Sequence, residues 1–164
     1  MKTPMPPFEI ENLTSLKQFE GREFPVTDWL VVAQDRIQKF ADSTGDQQWI
    51  HLDPKRAESE SPFGGTVAHG FLTLSLLSYF LQQAIHICSG VAMSLNYGLN
   101  KVRFPSPVRA ASQIRARVTL LSVKESADFV DAVFLIHVES RSVDGQLSRK
   151  PCCVAEWLIR YYAN

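Results

Sequence analysis

The spacing of hydrophobic and polar positions changes about halfway along this chain. In the first half, Ile37, Phe40 and Ala41 lie on one face of a helix that the pattern predicts over 35–43. From 67 to about 86 the chain is almost continuously apolar, with small polar interruptions, which predicts a long buried helix. Such a helix is apolar on nearly every side, so other elements have to cover it.

The second half supplies that cover. Four segments are rich in valine, isoleucine and aromatic residues, as is typical of β-strands: 91–104, 113–124, 129–142 and 147–161. Asp144 and Gly145 predict a hairpin turn between the last two, and Gly98 predicts a bulge in the first. We expect an antiparallel meander that curves around the long central helix. The predicted class is therefore α+β, with the hot-dog fold.

The chain is expected to form one domain over 1–164, since its length suits a single core and no repeat or linker interrupts it. Prolines at positions 4, 6 and 7 predict a loose N-terminal tail over 1–12. The edge strands of a curved sheet need covering, and a second copy of the chain commonly does this. A homodimer is the natural expectation.

Charge and cysteine content narrow the possible classes of protein. Seventeen basic residues balance seventeen acidic ones, without the broad positive field that nucleic acid or an anionic membrane would select. No apolar run has the length of a membrane span or the position of a signal peptide. Cys88, Cys152 and Cys153 form an odd set without metal-ligand spacing, which favours free thiols in a reducing compartment. We therefore expect a cytoplasmic protein.

The first candidate for chemistry is the pair Asp46 and His51, which lies just beyond Gly45, the predicted end of the 35–43 helix. A loop can aim a carboxylate and an imidazole at one water molecule, and the two groups together suit proton transfer near neutral pH. The alternative is structural, since an aspartate after a helix-ending glycine often bonds local amides.

The second candidate is the start of the apolar helix at Ala68-His69-Gly70. Unpaired amides at a helix start attract negative charge, so the Gly70 amide could hold a carbonyl oxygen; tight packing is the alternative reason for a glycine. We expect His69 to be a hydrogen-bonded support rather than a base. Ser78 lies two helical turns after Gly70 on a similar side, unless it simply bonds its own helix carbonyl.

No metal or cofactor is expected. Asp46, His51, Asp53 and His69 are suitable metal ligands by type, but their spacing matches no zinc pattern. The chain also contains no phosphate-binding glycine loop, nucleophile elbow or dinucleotide fingerprint. Nicotinamide chemistry and covalent serine catalysis are therefore unsupported.

Three segments resemble the MaoC-like dehydratases, also called R-specific enoyl-CoA hydratases. They are FADSTGDQQWIHLD at 40–53, AHGFLTLSLL at 68–77 and NYGLNKVRFP at 96–105. The residues of these segments are most similar to those of the nodulation-protein-N-like branch, which includes actinobacterial 3-hydroxyacyl-thioester dehydratases.

This resemblance implies a hot-dog dimer that reversibly hydrates a trans-2-enoyl thioester to the (R)-3-hydroxyacyl product. The substrate would be a thioester of coenzyme A or of acyl carrier protein, with no further cofactor. The family's catalytic aspartate and histidine fall on Asp46 and His51, its oxygen-binding glycine on Gly70, and its supporting serine on Ser78.

The chain departs from the commoner family signature between the catalytic pair, where Gln48 and Trp49 replace asparagine and proline. Trp49 either lines the acyl site or packs elsewhere. Lys101, Arg103 and Arg109 are candidates for contact with coenzyme A phosphates, as any exposed cation would be. Two alternative functions stay open: a hot-dog acyl-CoA thioesterase, and a non-catalytic subunit that binds acyl thioesters.

Overall fold

The computed structural model describes residues 5–164. Its α-helices are α1 (Gln34–Thr44), α2 (Trp49–Leu52), α3 (Pro54–Glu60), α4 (Gly70–Ser75) and α5 (Leu77–Ala84), and a 3₁₀ helix covers Leu13–Phe19. The strands are β1 (Phe8–Ile10), β2 (Leu30–Val31), β3 (Ile85–Ile87), β4 (Met93–Arg103), β5 (Gln113–Glu125), β6 (Phe129–Arg141) and β7 (Cys153–Tyr162). The predicted α+β class is confirmed.

Five strands form one antiparallel sheet in the order β2-β5-β6-β7-β4. Strands β5, β6 and β7 form the meander that the sequence predicts, but β4 does not pair with β5, its neighbour in sequence. The edge of β5 is taken by β2, where Leu30 pairs with Ile114. Strand β4 therefore lies at the opposite edge of the sheet, beside β7.

The inner face of the sheet encloses the central helices, as the hot-dog prediction requires. Strands β5 and β6 alternate between buried and half-buried positions over most of their length, which separates an apolar inner face from a polar outer face. Phe80 of α5 and Phe134 of β6 are completely buried in the shared core. On the outer face Arg115 and Glu139 form an ion pair at 2.8 Å.

The sequence predicts one continuous helix from 67 to about 86, but the structure interrupts it at Leu76, which separates α4 from α5. The Ser75 hydroxyl donates to the Leu72 carbonyl at 2.7 Å, so it occupies the acceptor that the Leu76 amide would use in a regular α-helix. The Leu76 amide bonds Thr73 instead. No helix within 5–164 has the length and apolar character needed to cross a membrane.

The predicted loose tail is wrong for its C-terminal part. Strand β1 pairs in parallel with β3, and Ile10 is fully buried because it joins the main core. Residues 1–4 lie outside the described residues. The last predicted strand also starts later than expected: Leu147 makes only an isolated bridge to Arg141, and β7 begins at Cys153.

Several local signals lie where the sequence places them. Gly45 ends α1 in the left-handed conformation, with φ +78°, and the Asp53 side chain caps α3 by accepting from the Arg56 amide. Gly145 occupies the predicted hairpin turn with φ +87°. The register of β4 against β7 shifts between Asn96 and Gly98, which confirms the bulge.

Candidate active site

Asp46 lies in the short connection between α1 and α2. Because Gly45 turns the backbone sharply, the chain leaves the helix axis immediately before Asp46. The Asp46 side chain is 54% exposed, so its carboxylate stays available to solvent. It lies beside two buried histidines, His51 and His69, and one ligand atom from each of the three residues lies within 4.8 Å of the others.

His51 lies on α2 and is buried, with 7% of its surface exposed. Its Nδ1 donates to the Val67 carbonyl at 2.6 Å. A carbonyl only accepts hydrogen bonds, so the ring proton is on Nδ1 and Nε2 carries the lone pair. Burial, the largest influence, lowers the pKa of His51, and the neighbouring His69 acts in the same direction against the opposing effects of Val67 and Asp46. The neutral imidazole is therefore favoured.

Gln34, in the first turn of α1, fixes the backbone of His51. Its Nε2 donates to the His51 carbonyl at 2.7 Å, and its Oε1 accepts from the Thr66 hydroxyl at 2.6 Å. The Val67 amide also bonds Ile50 at 3.0 Å. Sequence reasoning missed Gln34 because it lies seventeen residues before His51 and resembles any polar residue at a helix start.

His69 is buried and hydrogen-bonded, as the sequence predicts for a supporting residue, and the supporting role itself stays a prediction. Only 3% of its surface is exposed, and its Nε2 lies 3.0 Å from the Asp46 carbonyl and 3.8 Å from the Asp46 carboxylate. Its ring stacks on His51 with centroids 3.7 Å apart. A metal ion bound through this Nε2 would displace the bond to the Asp46 carbonyl. The predicted absence of a metal stays a prediction.

Gly70 begins α4, where its amide has no acceptor inside the helix. A Cβ atom at this position would come 3.0 Å from the Phe104 ring. Close packing alone therefore favours glycine here, and the open amide is compatible with oxygen binding. The role of Gly70 as an oxygen-binding residue stays a prediction.

Ser78 is half-buried on α5. Among the hydrogen bonds of residues 5–164, none joins its hydroxyl to Asp46 or to a helix carbonyl. It lines both cavities described below. The supporting role that the resemblance implies for Ser78 therefore stays a prediction.

Trp49 packs away from these cavities. The Arg56 guanidinium lies over its indole ring, 4.3 Å from the centroid, and Arg56 in turn bonds Glu60 at 2.8 Å. Trp49 is not among the described residues that line either cavity. Of the two expectations for Trp49, the structure therefore shows packing elsewhere, between α2 and Arg56 of α3.

Two cavities that share lining residues lie between the central helices and strands β4 and β7. The first, of about 470 Å³, runs from Phe40 at the end of α1 along α4 and α5. The second, of about 450 Å³, continues toward β3. Ser78, Asn96 and Trp157 line both. Phe40 also contacts His69, with ring centroids 5.1 Å apart, so the first cavity begins beside the catalytic candidates.

Comparison with known proteins identifies this arrangement. A family model described as the MaoC like domain matches residues 16–139, which contain α1 to α5 and most of the sheet. The chain belongs to the MaoC-like family. The resemblance expected from the three sequence segments is therefore confirmed. The catalytic roles of Asp46 and His51 stay a prediction.

Curated relatives of this MaoC-like chain extend over nearly its whole length. It is 45% identical over 154 residues to 3-hydroxyacyl-thioester dehydratase Z of Mycobacterium tuberculosis, an alignment that covers 93% of this chain and 97% of the relative. It is 42% identical over 138 residues to nodulation protein N of Rhizobium leguminosarum, covering 84% and 83%. The unliganded R-hydratase PhaJ1 of Pseudomonas aeruginosa shares the fold, with a TM-score of 0.64 and 20% identity over 88% of this chain and 83% of that one.

Proposed function

We propose that this MaoC-like chain is a hydro-lyase that reversibly adds water to a trans-2-enoyl thioester and forms the (R)-3-hydroxyacyl thioester. One observation carries the proposal. The Nδ1 proton of His51 is committed to Val67, which leaves the Nε2 lone pair as the ring's acceptor, next to the exposed Asp46 carboxylate. Two acceptors of different basicity can hold and polarise one water. The handedness of the product rests on the family.

In the hydration direction, neutral His51 accepts a hydrogen bond from the water at Nε2 and Asp46 accepts a second. The water oxygen forms a bond to the β carbon as hydroxide. The released proton passes through the pair to the α carbon, so one whole water is added and no other reactant is consumed. Fixing the water in this position contributes by proximity as well as by proton transfer.

As the water oxygen bonds the β carbon, negative charge develops on the thioester oxygen, so a donor to that oxygen lowers the barrier. The amide of Gly70, at the start of α4, is our candidate donor to that oxygen. The acyl chain then extends into the apolar cavity that begins at Phe40 and passes Leu77 and Trp157. Ser78 lies along the same path and contacts the substrate region from α5.

The carrier is coenzyme A or acyl carrier protein, since both present the same thioester. Arg109 already donates to the Gly64 carbonyl at 2.6 Å and is committed to that loop. Lys101 and Arg103 are exposed at the end of β4, just before Phe104, whose ring packs on Gly70. They are the better-placed candidates for contact with the phosphates of the carrier.

The working form is a homodimer in the cytoplasm. Strand β4 is a sheet edge eleven residues long, and it exposes Met93, Leu95, Tyr97 and Leu99. Phe71 of α4 and Tyr79 of α5 are exposed as well. An unpaired apolar edge of this length favours pairing with a second copy. The three cysteines are free thiols, as suits a reducing compartment.

The test is turnover of a chain-length series of trans-2-enoyl-CoA substrates by purified protein, followed by the loss of ultraviolet absorbance of the conjugated thioester. We expect loss of absorbance without release of free thiol, and chiral analysis should give the R product. Thiol release would favour the thioesterase instead. Saturable binding without either change would favour the non-catalytic subunit, and folded protein that does none of these would refute the proposal.

A further inference from the structure

His69 is a buried histidine whose two ring nitrogens have different surroundings. Its Nε2 lies 3.0 Å from the Asp46 carbonyl, which only accepts, so the proton is on Nε2. Its Nδ1 is therefore an acceptor, and it is buried without a partner among the described residues. An apolar side chain would fill the same space without this unsatisfied nitrogen.

The ring of His69 also contacts the other half of the proposed catalytic pair. It stacks on His51 with ring centroids 3.7 Å apart and an angle of 26° between the planes. Phe40 packs against His69 at 5.1 Å, which limits movement of the ring. One side chain thus holds the backbone of Asp46 by a hydrogen bond and the ring plane of His51 by stacking.

We propose that His69 is the positioning residue that keeps Asp46 and His51 aimed at the same water. This inference rests on the proposed function for the reaction, but the geometry it describes does not depend on the substrate. His69 does not act as the base itself, because one nitrogen donates to Asp46 and the other is enclosed by protein. It acts only through its two neighbours.

Two substitutions separate the two contacts. His69→Phe keeps an aromatic ring to stack on His51 but removes the donor, whereas His69→Gln keeps a donor near the position of Nε2 and removes the ring. We expect His69→Phe to lower kcat at least tenfold with KM changed less than twofold. His69→Gln, which restores the donor but not the stacking, should recover part of that loss. The control is His137→Gln, because His137 lies on β6 in a separate cavity with Glu23 and Arg117, and this variant should leave kcat unchanged.

A second readout is independent of activity. With only four histidines in the chain, ¹⁵N spectra can assign each ring, and we expect His69 to be protonated on Nε2 and His51 on Nδ1. The Gln47 amide belongs to the same peptide unit as the Asp46 carbonyl, so its signal should shift in His69→Phe and stay near the wild-type position in His69→Gln.

Three results would contradict the positioning role of His69. Nδ1 protonation of His69 in the wild type, wild-type kcat in His69→Phe, or failure of His69→Gln to restore either readout would overturn it. If the wild type converts no enoyl thioester, the proposed function fails, and the ring tautomers and the Gln47 signal still decide the positioning. If a variant does not fold, the wild-type tautomers decide it.

Discussion

The imidazole of His51 stacks on the imidazole of His69, and each ring donates one proton to a backbone carbonyl. The two acceptors, Val67 and Asp46, belong to different segments of the chain. The stack therefore connects the turn after α1, helix α2 and the segment before α4. The Asp46 carboxylate and the His51 imidazole are therefore held relative to each other by contacts with Val67 and His69.

Removing either member of the proposed catalytic pair should abolish most activity without unfolding the protein. Asp46→Asn and His51→Gln should each lower kcat by roughly 10²–10⁴-fold, the range typical of general acid and base groups. Steady-state turnover of an enoyl thioester measures the loss, and circular dichroism confirms the fold. Asp42→Asn, at an exposed position on α1, is the matched control and should retain wild-type kcat. Full activity in Asp46→Asn or His51→Gln would remove that residue from the mechanism.

In the pH profile of kcat/KM, the apparent pKa of the acid limb should lie below the ordinary histidine pKa of about 6.5. Burial lowers the pKa of His51, so the neutral, water-binding form persists to lower pH than in a free imidazole.

The same lowered pKa makes the stability of the protein depend on pH. As the pH falls, the unfolded chain binds this proton before the folded chain does, so the free energy of unfolding falls as pH drops from about 6.5 through the lower folded pKa. Urea titrations across this range measure it. His51→Gln should remove this part of the pH dependence, and an acid limb above 6.5 would contradict the prediction.

Gly70→Ala should lower activity for two separable reasons. The added Cβ would approach the Phe104 ring to 3.0 Å, which displaces the ring, and a shifted helix start would move the amide proposed to bind the thioester oxygen. Losing one such donor costs on the order of 10²–10³ in kcat. In the double variant Gly70→Ala/Phe104→Ala the clash is relieved. Recovery of kcat there, relative to Phe104→Ala alone, assigns the loss to the clash with Phe104; a persistent loss assigns it to the moved amide.

Gln34→Leu should destabilise the protein by about 1–3 kcal/mol, because the Thr66 hydroxyl and the His51 carbonyl both lose their partner. Its kcat should fall as well, since His51 loses its link to α1. Thermal or urea unfolding measures the first effect and enoyl-thioester turnover the second. Gln38→Leu, an exposed position one turn later on α1, should change the free energy of unfolding by no more than about 0.5 kcal/mol. Equal stability of the two variants would count against a bracing role for Gln34.

Leu95→Lys should convert the proposed dimer to a monomer, because it places a charge in the middle of the exposed apolar edge of β4. Sedimentation velocity of wild type and variant at equal concentration checks this. Val143→Lys is the control: Val143 is 77% exposed, but it lies in the hairpin loop between β6 and β7. A wild type that sediments as a monomer would refute the homodimer directly.

The sequence by itself determined features that depend on a few neighbouring residues. Gly45 ends α1, Asp53 caps α3, and Gly145 forms the hairpin turn, because positive φ and side-chain capping are local properties of those residues. Residue spacing also gave the apolar faces of the helix and strands, and hence the hot-dog fold. The spacing of Asp46 and His51, with the family resemblance, identified the catalytic candidates.

Only the tertiary structure decided which segments meet. Strand β4 pairs with β7, while β2 occupies the edge of β5, and β1 pairs with β3 although the prolines that precede β1 suggested a loose tail. The bonds from Gln34 to His51 and from His69 to Asp46 cross seventeen and twenty-three residues. Local pattern shows which face of an element is apolar, but a buried polar group takes its partner from whatever segment the packed core brings beside it. That is why Asp46 and His51 could be named from the sequence, whereas the residues that orient them required the fold.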